Sequence, residues 1–163
     1  MYQVGDRVVY GVHGVCCVVE LQVQTVNRMK VEYYVLEPIK HSGSRYFVPS
    51  QNQIAVSKLR PLLTKEELDA LLTSDRINED IWIANENDRR LQYREIIAEG
   101  DRCNLLRIIR TLRKHREEML QSGKKFHVTD ANFLKDAEKT LYSELSVVLN
   151  IEYDKVSDYI NNL

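Results

Sequence analysis

Two periodicities divide the chain. Up to about residue 62, apolar positions fall in short runs or alternate with polar ones. Beyond that point they recur every three or four positions. In the first part "DRVVY" predicts a short strand. "GVHG" after it predicts a tight connection, because both glycines tolerate positive φ. "VCCVVELQVQTV" predicts a long strand whose second half alternates Leu21, Val23 and Thr25 with Gln22 and Gln24. "KVEYYVLEPI" predicts a third strand, centred on Tyr33, Tyr34, Val35 and Leu36. "HSGS" predicts a turn, "RYFVP" a fourth strand stopped by Pro49, and "SKLRPLL" a short fifth before Pro61. Five short strands in succession predict a small barrel, since closure protects sheet edges.

The second part predicts five helices. "LTKEELDALL" opens with Thr64 and has Glu67 three residues on, a capping box. "NEDIWIANENDRRLQYREIIAEG" carries Ile81, Ile83 or Ala84, Leu91, Ile96 and Ile97, with Gly100 as its stop. Asp101 caps "RCNLLRIIRTLRKHREEMLQSG", whose apolar stripe is Leu105, Ile108, Ile109 and Leu112. "VTDANFLKDAEKTLYSELSVVLN" starts at a Thr129 or Asp130 cap and lines up Phe133, Leu134, Ala137, Leu141 and Leu145. "EYDKVSDYINNL" closes the chain with Tyr153, Val156, Tyr159 and Ile160 on one face. The expected fold is therefore α+β in two domains, a barrel over 1–62 and an all-α domain over 63–163. "TSDRINED" at 73–80 is a further polar break.

Composition adds little to this. The 163 residues are 44% hydrophobic and 29% charged, ordinary for a globular protein. No apolar run is long enough to span a bilayer, and "MYQVGDRVVY" does not read as a signal peptide, so no membrane partner and a cytoplasmic location are expected. Net charge is −1, yet residues 89–125 hold eleven basic side chains against five acidic ones. A local excess of that kind can steer a polyanion.

Candidate chemistry is sparse. Phosphate-cradling glycine loops, paired-cysteine metal motifs and calcium loops are all missing, so neither cofactor nor metal is expected. Cys16 and Cys17 with His13 form the one local nucleophile-and-base candidate. On a strand the two cysteines face apart, which favours a buried thiol and a histidine left in a turn. Cys103, beside Arg102 and Arg107, reads as helix packing. Glu66–Glu67 and Glu117–Glu118 read as solvated helix faces.

The signature "VGDRVVYGVHGV", with "EYYVLEP" and "YFVP" after it, resembles the N-terminal region of the CarD/CdnL family of bacterial transcription regulators. The second half matches the family in order: a tryptophan-bearing segment, "EGD" at 99–101, a basic helix, "SEL" at 143–145 and a closing "Y-x-x-V-x-x-Y-I". The N-terminal signature is shared with the polymerase-interacting module of the transcription-repair coupling factor, an ATP-driven translocase whose motor this sequence lacks. The resemblance implies a Tudor-like barrel that docks on the RNA polymerase β subunit by pairing a strand with one of its own. It also implies a helical domain at the upstream edge of the promoter bubble, and a binding role with no enzymatic step. The implied polymerase contacts are Gln24, Arg45, Tyr46 and Phe47. The implied DNA contacts are Trp82 as a minor-groove wedge, with Arg89, Arg90 and Arg94, then Arg110, Arg113 and Lys114. Locally apolar "IWI" equally allows Trp82 to be a core residue. An adaptor that binds protein but not DNA is the alternative, and a monomer is expected because no helix carries an extended heptad seam.

Overall fold

The computed structural model describes residues 1–40 and 43–162, so the turn expected at 41–44 lies partly outside the described residues. The chain forms two compact units, Met1–Leu62 and Leu63–Leu163.

The first unit is an antiparallel sheet of β1 (Arg7–Tyr10), β2 (Val15–Val26), β3 (Met29–Pro38), β4 (Tyr46–Pro49) and β5 (Leu59–Pro61). Strand order is β4-β3-β2-β1-β5. The expected closed barrel is corrected here: among the described residues the ladder is open, with β4 and β5 as its two edges. Between the two edges lies α1 (Gln53–Ser57), a helix the sequence reading did not anticipate. It touches both edge strands and lays Ala55 and Val56 against the core, closing the gap with side chains instead of a ladder. Asn52 caps it, its side-chain oxygen accepting from the Ala55 N–H at 3.1 Å. The sheet still curls strongly. Tyr10 on β1 and Tyr46 on β4 are three strand positions apart, roughly 14 Å in a flat sheet. Their ring centroids nonetheless lie 5.6 Å from each other.

The core of this unit is Val8, Cys16, Val18, Tyr34, Leu36, Val48 and Leu59. On β2 the inward positions are even-numbered up to Val18. The β2–β3 register then shifts between Val18 and Glu20, a bulge at Val19. One extra residue moves the following side chains to the other face. Leu21 and Val23 therefore continue the core face, which explains the alternation seen in the sequence. They run past the core, however, and are exposed. The arm reverses at Asn27 and Arg28, both at positive φ, as a two-residue type I′ hairpin needs.

The second unit packs α2 (Lys65–Thr73), α3 (Glu86–Glu99), α4 (Arg102–Gln121), α5 (Val128–Leu149) and α6 (Val156–Asn161). The Thr64–Glu67 capping box is complete. Leu105, Ile108, Ile109 and Leu112 of α4 meet Leu134, Ala137, Leu141 and Leu145 of α5 in the core. Two helix starts differ from expectation. α5 begins at Val128, because the Asp130 carboxylate is taken up in the interior instead of capping. α3 begins only after Asn85, whose side chain caps it by accepting from the Asp88 N–H. Leu91, expected on its apolar face, is exposed, while Tyr93 is buried alongside Ile97.

Candidate functional site

The four-residue edge strand β4 pairs with β3 through Tyr33–Leu36. Strand alternation divides its side chains. Tyr46 leans on the core and Phe47 points outward, 46% exposed, edge-on to Tyr33. Arg45 just before the strand is ion-paired to Glu37 at 2.8 Å and lies 3.9 Å from Glu20. Gln24 sits out on the exposed β2–β3 arm and donates to Gln22 at 3.0 Å. The edge thus offers an aromatic anchor and a neutralised arginine.

His13 is built into this edge. Its ring lies 4.3 Å from Tyr46 and 5.1 Å from Tyr10, so the "GVHG" turn supports β4 from beneath. Cys16 is fully buried, and burial first, then the neighbouring Cys17, pushes its thiol from 9.0 up to about 11. A raised pKa favours the neutral thiol in the folded state. Its contribution to stability is whole below pH 9.0 and is lost as pH rises toward about 11. Alkylation of the native protein near pH 8, read by mass spectrometry, is expected to spare Cys16 until the chain unfolds. Cys103 packs against the helical core.

In the second unit the decisive element is a strap without helix or strand, residues 79–85, between a short 3-10 turn (Asp75–Asn78) and α3. Two neighbouring helices hold it residue by residue. From α4, Arg110 donates to the side chain of Asn78, which leads into the strap, and Arg107 pairs with Glu79 at 3.0 Å. Lys114 lies 3.6 Å from Asp80, and the Thr111 hydroxyl accepts the Ile81 N–H at 3.1 Å. Positions 107, 110, 111 and 114 are one stripe of a helix, so the polar stripe of α4 is the seat of the strap. From α3, the Tyr93 hydroxyl donates to the Ile81 carbonyl at 2.9 Å. Arg89 donates to those of Ile83 at 2.9 Å and Ala84 at 3.4 Å.

Trp82 sits in the middle of this strap. It is partly buried, stacked on His115 at 3.6 Å between centroids, with the Arg89 guanidinium carbon 4.4 Å from its ring centre. Arg89 is 5% exposed and binds both oxygens of Asp130, itself 1% exposed, at 2.9 and 3.0 Å. Arg89, one of the implied DNA contacts, thus has its charge neutralised inside the domain.

Part of the basic excess is also paired within the chain, in some cases at the surface. Arg89, Arg90, Arg102, Arg107, Arg113 and Lys114 each have a carboxylate partner, and all six partners lie outside residues 89–125. Arg113, held by Glu138 at 2.8 Å and Ser157 at 2.7 Å, is not an outward-facing cation. Arg110 and Lys114 serve the strap. Arg90, about half exposed, keeps only a loose 3.9 Å approach to Glu86 and a 3.4 Å contact with Thr129. Arg94 is exposed one helical turn further on. Sequence reasoning missed Tyr93, Thr111, His115 and Asp130. No local pattern marks them, since each acts on a segment 12 to 41 residues away.

Two family models match the chain. Residues 2–61 match the CarD-like/TRCF RID domain, and residues 69–161 match the CarD C-terminal domain.

Proposed function

The chain belongs to the CarD/CdnL family, and we propose that it joins RNA polymerase to promoter DNA, with one contact surface on each unit. Membership makes it an RNA polymerase-interacting transcription regulator. The sheet unit docks on the β subunit by adding β4 to a strand there, with Phe47 as anchor and the Arg45 and Tyr46 backbone and Gln24 alongside. The helical unit meets the upstream edge of the promoter bubble, with Trp82 toward the minor groove and Arg90 and Arg94 on phosphates. A factor that binds the open promoter better than the closed one shifts that equilibrium by its differential affinity. Nothing in this role makes or breaks a bond. It acts as a monomer in the cytoplasm.

The observation that carries the reading is β4, an edge strand paired on one side among the described residues and bearing an exposed aromatic side chain. Phe47→Asp is expected to abolish retention on immobilised β subunit. Arg90→Ala with Arg94→Ala should lower the salt slope of promoter binding by about two units. Undiminished retention of Phe47→Asp refutes the docking surface. The pairing of Arg89, Arg102 and Arg113 with buried or partly buried carboxylates favours a second reading, a polymerase-binding adaptor without DNA contact. A slope unmoved by the double variant selects it.

A further inference from the structure

We propose that Arg89 and Asp130 are positioning residues: their buried pair, with Tyr93 and Thr111, fixes the strap so that the Trp82 ring is held ready for its partner. The proposal rests on the promoter reading above for the identity of that partner, but not for the device itself.

A seven-residue stretch without helix or strand leaves its backbone groups unpaired unless side chains satisfy them. Here they do. Ile81 is held at both its N–H and its carbonyl, by Thr111 and Tyr93. Ile83 and Ala84 are held through their carbonyls by Arg89. Arg89 has a fork of donors in fixed geometry. One side engages Asp130 through Nε and Nη2, and Nη1 reaches the strap, so fixing the guanidinium by the carboxylate fixes the two carbonyls as well. The same guanidinium lies against the indole at 4.4 Å, and His115 stacks on that ring at 3.6 Å. Asp130 thus reaches Trp82 only through Arg89.

A strap held this way is pre-organised. Its tryptophan meets a partner without first losing the freedom of a loop. Loosening the strap lets the ring wander.

The chain has a single tryptophan, so its fluorescence reports this position alone. In the full-length protein, Asp130→Asn and Thr111→Val are each expected to raise acrylamide quenching of Trp82 at least about two-fold and to red-shift its emission. Thr111→Val keeps the ion pair and removes one strap contact, so it serves if Asp130→Asn does not fold. Thr64→Ala, which removes the α2 cap, lowers stability without touching the strap and should leave the emission unmoved. Unchanged quenching in folded Asp130→Asn or Thr111→Val overturns the proposal. Promoter-complex lifetime separates the two readings. Loss in Trp82→Ala and in both strap variants supports positioning for DNA. Loss in Trp82→Ala alone overturns the positioning role. No change in any of the three, with quenching raised, keeps the device and removes Trp82 from the promoter.

Discussion

Arg89→Ala is expected to destabilise the helical unit by about 3–5 kcal/mol, whereas Arg90→Ala changes it by less than about 0.5 kcal/mol. The two residues are adjacent and chemically identical, so the contrast depends on placement alone. On α3 they point about 100° apart. Arg89 faces α5, where the Asp130 carboxylate is 1% exposed and receives both its hydrogen bonds from this guanidinium. Truncation strands a buried charge and frees the Ile83 and Ala84 carbonyls in the same step. Arg90 is 49% exposed and its ion pair is 3.9 Å long, the kind of surface pair that contributes little. Thermal unfolding followed by circular dichroism checks both variants. An Arg89→Ala protein as stable as Arg90→Ala would mean that Asp130 finds water when its partner is removed.

That contrast also marks where the sequence stops being readable. The helix cores were legible because period and apolarity coincide: Leu105, Ile108, Ile109 and Leu112 are spaced as a stripe and are buried as one. The strands of the first unit were legible for the same reason, down to the alternation at Leu21 and Val23. Its meaning, a bulge at Val19, needed the register. The β2–β3 turn was hidden because Asn27–Arg28 lacks the glycine that usually marks such a turn. The strap was hidden because "IWIA" is apolar and reads as helix, while the groups that hold it extended lie on α3 and α4. Charge was the most misleading quantity. The basic excess of residues 89–125 was real as a count, but six of its members pair with carboxylates elsewhere in the chain. A sequence window cannot contain partners that the fold brings in from outside it. On β4, strand alternation turns one of Tyr46 and Phe47 inward, and the register shows it to be Tyr46.

Arg102→Met should produce a loss of similar size, about 3–5 kcal/mol, and lower the thermal midpoint of the helical unit by more than roughly 10 °C. Its partner Glu144 is 1% exposed in the C-terminal third of α5. Arg102 Nη2 donates to one carboxylate oxygen at 2.7 Å and Nε to the other at 3.0 Å, while the Leu63 N–H donates to the first at 2.8 Å. A carboxylate so deeply buried is tolerated because a fork of charged donors meets it. The single replacement removes the cation and leaves one backbone N–H. The double replacement Arg102→Met with Glu144→Gln removes the charge from both sides and keeps a carbonyl for Leu63. It is therefore expected to be more stable than Arg102→Met alone, although it carries one more substitution. Such a reversal appears only if the loss comes from an uncompensated charge and not from lost packing of the arginine stem. Strictly additive losses in the cycle would assign the effect to packing, and Glu144 would then be held chiefly by Leu63.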